Sequence, residues 1–218
     1  MKLLLVRHGE SVGNITQVLQ SREEPLTERG RGQARQVAAH LATRDDVVAI
    51  YASPLARALE TSQTIGTAVG LTPWPDEALA EISVGDAAGL TFQEWSARFP
   101  EEATRFHKEG LDYAFPAGES GRQLGARTAA AVDRIIATHR HEPGALVIVS
   151  HGGALSWILA HLLRESGDAW PSHTFDNCSI TEVEIDPEHG CASRVVCQNE
   201  VGHLLPNPDE EVATGRLP

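Results

Sequence analysis

Leu3-Leu4-Leu5-Val6-Arg7-His8-Gly9-Glu10-Ser11-Val12-Gly13-Asn14 carries two catalytic signatures that name different nucleophiles. Gly9-Glu10-Ser11-Val12-Gly13 fits G-x-S-x-G, which would make Ser11 an acyl-transferring serine. The same residues also read as an apolar strand ending in Arg7-His8, with an imidazole beside a guanidinium at its carboxyl end. The apolar run stops at Arg7 and no small-residue cleavage site follows, so a buried first strand is expected over residues 2–7 rather than a leader.

Working outward, Ala34, Val37, Ala38 and Leu41 recur at helical spacing after Leu26-Thr27. Residues 47–52 and 145–150 are further short apolar runs, read as buried strands. Ser53-Pro54 is expected to cap a helix whose inner face carries Leu55, Ala58, Leu59, Ser62 and Ile65. After residue 150, Leu155, Ile158, Leu159, Leu162 and Leu163 again keep helical spacing. This alternation predicts a three-layer α/β/α sandwich on a mostly parallel sheet.

Residues 84–118 read as a partly helical insertion, with a capping box at Thr91-Phe92-Gln93-Glu94 and a second helix start at Ser120. Glu119 is read as a helix-start residue. The insertion is expected to line the leaving-group side of a site, where Trp95, Phe99, Phe106 and Tyr113 serve either as an apolar wall or as packing between helices. Residues 178–185 alternate as a strand, and Glu182, Glu184 and Asp186 suggest a solvated face on it. One domain over residues 1–205 and a loose tail over 206–218 complete the expected organisation.

The 218-residue chain is 41% hydrophobic, which suits one domain with a sizeable core. No stretch is apolar for long enough to cross a bilayer. Three cysteines, Cys178, Cys191 and Cys197, argue against a disulfide framework and for a reducing, cytoplasmic compartment. A formal net charge of −12 disfavours nucleic acid and anionic membranes as partners. An anionic substrate would have to be attracted locally, by arginines concentrated at one site, and a homodimer is possible.

Ligands of parallel α/β sheets bind beyond the carboxyl ends of strands. Arg7 and His8 close the first strand, Arg57 lies in the first turn after the second, and His151 closes the strand over 145–150. Two arginines and two histidines at neighbouring strand ends suit a phosphoryl group, whose oxygens match guanidinium forks and helix N-terminal N–H groups. A neutral imidazole can attack phosphorus and give a phosphohistidine that water later hydrolyses. Arg7 and Arg57 should hold the His8 pKa down, and His151 can donate a further hydrogen bond. A carboxyl must protonate the departing alkoxide and later activate water, and Glu81, Glu77 and Asp86 are the nearby choices. The histidines around His139-Arg140-His141 match no zinc spacing, so no metal and no cofactor is expected.

In order and together, Arg7-His8-Gly9-Glu10-Ser11 with Asn14, Leu26-Thr27 with Gly30 and Gln33, Ser53-Pro54 with Arg57-Ala58 and Thr61, and Ser150-His151-Gly152-Gly153 resemble the histidine phosphatase superfamily. The likeness runs through most of the chain. It implies a phosphoglycerate mutase-like fold, phosphorylation of His8, and a phosphate pocket completed by Arg7, Arg57 and His151. By the same likeness Asn14 and Gly152 contact substrate and Glu81 is the proton donor. The family's frequent Gly-x-x-Glu-Gly segment is here Gly85-Asp86-Ala87-Ala88-Gly89.

The expected activity is a metal-independent, acid phosphatase-type phosphomonoesterase acting on a small phosphorylated substrate. Alternatives are a mutase on the same fold and a non-catalytic phospho-ligand binder. Against the mutase, Glu81 is followed by Ile82-Ser83-Val84, Gly13 stands where those enzymes usually carry tryptophan, and their longer lysine-containing insertion is absent. Against the serine hydrolase, Ser11 follows the very first strand and His151-Gly152-Gly153 comes long after it, the reverse of the order an oxyanion segment requires.

Overall fold

The structure, a computed structural model, describes residues 1–186, 188–189 and 191–204, and the expected tail over 206–218 lies outside them. In chain order the elements are β1 (Lys2–Arg7), α1 (Val12–Thr16), α2 (Glu28–Leu41), β2 (Val47–Ala52), α3 (Ala56–Val69), β3 (Trp74–Pro75), α4 (Phe92–Arg98), α5 (Pro100–Glu109), α6 (Gly121–His139), β4 (Ala145–Ser150), α7 (Gly152–Leu162), β5 (Ile180–Asp186) and β6 (Cys191–Glu200). The sheet runs β3-β2-β4-β1-β5-β6. β1, β2, β3 and β4 pair in parallel, while β5 and β6 are added antiparallel.

β1 and β4 are covered on both faces, which is why they are continuous apolar runs rather than alternating ones. Leu3, Leu5, Leu146 and Ile148 pack against α6 and α7. Leu4, Val6, Val147 and Val149 pack on the other side against α2 and α3. Three layers result, and the carboxyl ends of β1, β4 and β2 finish side by side.

The chain after β1 is pressed onto the start of α2. The Thr27 side chain caps that helix by accepting the Gly30 N–H. A Cβ on Gly30 would fall 2.0 Å from the Glu10 carbonyl oxygen, and one on Gly9 would fall 2.4 Å from that of Gly30. Only glycine allows this backbone-on-backbone approach, so the two residues set how closely the His8 loop lies against the sheet.

The segment over 84–118 forms α4 and α5 around a satellite core of its own. Trp95 and Tyr113 are buried with Val84, Ala87 and Phe115, and Phe99 and Phe106 pack against them. Of the two readings of these aromatics, packing between helices is the one the structure shows.

Two expectations need correction. Ser53 does not cap α3, which begins at Ala56 with Leu55 at the N-cap position. Glu182 is not solvated: it is buried, with Lys2 Nζ at 3.1 Å and Arg44 Nη1 at 2.8 Å. A period-2 charge pattern cannot reveal that cations from β1 and from the loop before β2 cover one of its positions. Glu184 and Asp186 do lie at the surface, paired with Arg194 and His189.

Candidate active site

β1 delivers Arg7 and His8 to the carboxyl edge of the sheet, and the His8 N–H donates to the Ser150 carbonyl 3.0 Å away at the end of β4. The His8 ring is buried, and its Nδ1 lies 2.7 Å from the Gly9 carbonyl oxygen. A carbonyl can only accept, so Nδ1 carries a proton and the neutral ring keeps its lone pair on Nε2. Burial pushes the His8 pKa well below the usual histidine value, with Arg57 and then Arg7 adding to the effect. The arginines therefore act as expected, but removal from water is the larger cause.

His151 is the N-cap residue of α7, and its ring centroid is 5.0 Å from that of His8. Its Nε2 is 2.7 Å from Ser53 Oγ, whose other contact is the Leu55 N–H at 3.2 Å. Burial, followed by the neighbouring His8 and arginines, holds the His151 pKa well below its usual value too. Where Ser53 Oγ donates to Nε2, the remaining proton of a neutral His151 ring is on Nδ1; in the other tautomer Nε2–H donates to the hydroxyl.

The arginines are held from behind. Arg7 Nη1 donates to the Phe175 carbonyl at 2.7 Å, and Arg57 Nη1 to that of Ser21 at 2.9 Å. Burial lowers both arginine pKa values, that of Arg57 to about 10, and both remain cations at neutral pH. Arg7 Nε, Arg57 Nε and His151 Nδ1 are buried without a hydrogen-bond partner. Buried polar atoms are nearly always paired, and these three, brought together by neighbouring strand ends, are of the kind that can hydrogen-bond the oxygens of an anion. Gly152 opens α7 beside them: a Cβ there would stand 3.8 Å from Arg7 Nε, so the first turn of that helix borders the same pocket.

Glu81 approaches from the other side. Its carboxylate accepts the Ile82 N–H at 3.0 Å and the Gly153 N–H at 2.9 Å, which seats it on the first turn of α7. A cleft of about 270 Å³ opens there, bordered by Gln20, Arg22, Arg57, Glu81, Ile82 and Val84. From the insertion Val84, Gly85 and Ala88 reach it, so α4 and α5 stand behind this cleft rather than lining it.

A family model described as the histidine phosphatase superfamily (branch 1) matches residues 3–198. The chain belongs to the histidine phosphatase superfamily. It is 36% identical over 157 residues to phosphoglycerate mutase-like protein 4 of Arabidopsis thaliana, covering 71% of this chain and 67% of that one. To the probable phosphoglycerate mutase GpmB of Yersinia pestis (strain Pestoides F) it is 32% identical over 218 residues, with 96% and 98% covered. Among solved structures it resembles Bacillus stearothermophilus YhfR, with a TM-score of 0.79, 31% identity, and 93% and 98% of the two chains covered. It also resembles a mycobacterial glucosyl-3-phosphoglycerate phosphatase in complex with VO3, with a TM-score of 0.79, 29% identity, and 92% and 99% covered. This chain, like its superfamily, is an enzyme of the phosphoryl-transfer kind.

In this superfamily member Asn14 turns its amide oxygen inward, accepting from the Ser11 N–H at 3.0 Å and from Asn177 Nδ2 at 3.1 Å. The Ser11 hydroxyl is buried within 2.9 Å of Asn14 Oδ1 and Gln20 Oε1, so it belongs to the loop that carries His8 and meets no base. Asp86 donates its backbone N–H to the Pro116 carbonyl, and Glu77 forms a surface pair with Arg22 2.9 Å away. Neither is seated against α7 as Glu81 is. Among the described residues no three histidine, cysteine or carboxylate side chains gather as a metal site, and no helix is long and apolar enough to cross a membrane.

Sequence reasoning passed over Ser53 as a partner of His151 and Asn177 as a partner of the His8 loop, where Nδ2 donates to the His8 carbonyl at 3.0 Å. The Ser-Pro pair was visible but looked like a helix cap. Asn177 carried no local signal, because 169 positions separate it from His8.

Proposed function

We propose that this protein is a phosphomonoesterase that hydrolyses a small phosphorylated metabolite through a phosphohistidine on His8, without a metal ion. The observation that carries the reading is the Nδ1–H bond of His8 to the Gly9 carbonyl, which leaves Nε2 as the lone pair inside an arginine-walled pocket. His8 Nε2 attacks phosphorus as the P–O bond of the ester breaks, and Glu81 gives its proton to the departing alkoxide. Arg7, Arg57 and His151 Nδ1–H hold the equatorial oxygens while charge spreads over them, the interaction that strengthens most in the transition state. Glu81, now a carboxylate, takes a proton from water as its oxygen attacks the phosphorus. The P–Nε2 bond breaks and inorganic phosphate and neutral His8 are released.

Hydrolysis rather than mutase transfer is supported by Gly13. A Cβ at Gly13 would stand 2.4 Å from Gln20 Cγ, so the Gln20 side chain occupies the space a bulky residue would need. The likeness to a protein titled a phosphatase points the same way, while the relatives titled mutases keep the transfer reading as the one to be tested against. Mixing enzyme with labelled phosphate ester in the presence of EDTA, and quenching without acid, should trap an acid-labile, base-stable label on His8. Label on Ser11, absence of label in EDTA, or full activity in His8→Ala overturns the reading.

A further inference from the structure

We propose that Arg127, braced by Glu119, is a positioning residue that sets the place of the Glu81 carboxyl, an inference that rests on reading Glu81 as the proton donor. Residues 78–83 have almost no regular structure of their own, so their backbone carbonyls need partners from elsewhere. Arg127 on α6 supplies them. Its Nη1 donates to the carbonyls of Ala78 at 3.0 Å and Ala80 at 2.8 Å, and its Nη2 to that of Glu81 at 3.0 Å. The two remaining N–H groups go to Glu119, Nε to Oε2 at 3.0 Å and Nη2 to Oε1 at 2.6 Å. All five guanidinium donors are thereby committed, three of them to the loop that carries Glu81.

Glu119 closes the circuit. Its Oε1 also accepts the Ser83 N–H at 2.9 Å, and its own N–H donates to the Ser83 carbonyl at 2.9 Å. The carbonyl between those of Ala78 and Ala80, that of Leu79, accepts from Ser150 Oγ at 2.6 Å, at the end of the strand that leads into His151. The peptide groups on both sides of Glu81 are thus tied to α6 and β4, the elements that also position the oxyanion pocket. The carboxyl then has one short side chain's freedom, which its contact with the Gly153 N–H removes. With all five N–H groups so committed, Arg127 has none left for substrate; it acts through Glu81.

A lysine cannot replace it, because an ammonium has three donors and no planar fork with which to serve four carbonyl and carboxylate groups at once. Structural bracing alone would slow every substrate alike, whereas positioning of the acid must depend on how much the leaving group needs a proton. Single-turnover phosphorylation of His8 should be followed with nitrophenyl phosphate and an alkyl phosphate in Arg127→Gln, Arg127→Lys, Glu81→Gln and the Glu81→Gln/Arg127→Gln pair. Both Arg127 variants should slow the alkyl ester by at least about tenfold more than the nitrophenyl ester. In the Glu81→Gln background Arg127→Gln should add less than about twofold, because the group it positions is already gone. Equal slowing of the two esters by Arg127→Lys, which keeps the charge and serves as the test should Arg127→Gln fail to fold, overturns the positioning role, as do effects that multiply in the double variant. Equal slowing of the two esters by Glu81→Gln instead overturns the reading of Glu81 on which the role rests.

Discussion

Gly153 shows how little room the Glu81 carboxyl has. A Cβ at that position would lie 2.6 Å from Glu81 Oε1, and its three nearest neighbours are all atoms of that carboxyl, so Gly153→Ala is expected to push the carboxyl off α7 while the fold survives. Phosphorylation by alkyl phosphates should then fall steeply and phosphorylation by nitrophenyl phosphate far less, because nitrophenolate leaves without a proton. Single-turnover rates on the two esters measure this. Equal losses would mean that Glu81 has not been displaced from a proton-donating position. Ser53 acts on the same small scale, since one hydroxyl, 2.7 Å from His151 Nε2, anchors the orientation of that ring.

Among the elements, the α4–α5 pair is a separate packing unit. Trp95 is buried against Phe92, Phe106, Tyr113 and Phe115, with ring centroids 5.3 to 6.2 Å away. Truncating it removes a large apolar contact and leaves a cavity, so Trp95→Ala is expected to cost about 3–5 kcal/mol of stability. Urea unfolding would report it, and a loss below about 1 kcal/mol would mean that the ring is not part of a core. α3 ties two halves of the site together in another way: Thr61 Oγ1 accepts the Gly9 N–H at 3.1 Å and donates to the Arg57 carbonyl at 2.7 Å. The His8 loop and the Arg57 turn are therefore fixed to each other before substrate arrives.

For the whole molecule, two buried neutral histidines make stability depend on pH. The His8 and His151 pKa values are lowered in the fold, so below the ordinary histidine value of about 6.5 the unfolded chain binds protons that the folded chain refuses. Stability is therefore fully present above about pH 6.5 and declines as pH falls below it, by up to about 1.4 kcal/mol per pH unit for each group. Urea midpoints between pH 7.5 and 5 should show the decline, and His8→Gln should make it shallower. An unchanged slope in His8→Gln would mean that His8 titrates alike in both states. The carboxylates with lowered pKa values, Asp46 and Glu182 among them, contribute stability that is fully present at neutral pH and is lost only at more acidic pH, where unfolded carboxylates begin to protonate. The net charge of −12 opposes the approach of any anion, which Arg7 and the buried Arg57 must offset locally.

The sequence by itself determined β1, β2 and β4, because strands buried on both faces must be apolar throughout, and it determined α2 and α7 through their spacing and α6 through its start at Ser120. It also pointed to Arg7, His8, Arg57 and His151, since strand ends are readable wherever an apolar run stops at a polar residue. β3 and β6 left no comparable mark: β3 is two residues long, and β6, at the sheet's edge, mixes polar residues with its few apolar ones. Tertiary structure alone decided that Ser53 serves His151, that Glu182 is buried, and that Glu119 and Arg127 hold the Glu81 loop. The physical reason is the same in each case. Hydrogen bonds and ion pairs join whichever residues the packed layers bring together, and donors and acceptors far apart in the chain carry no periodicity that would announce the meeting.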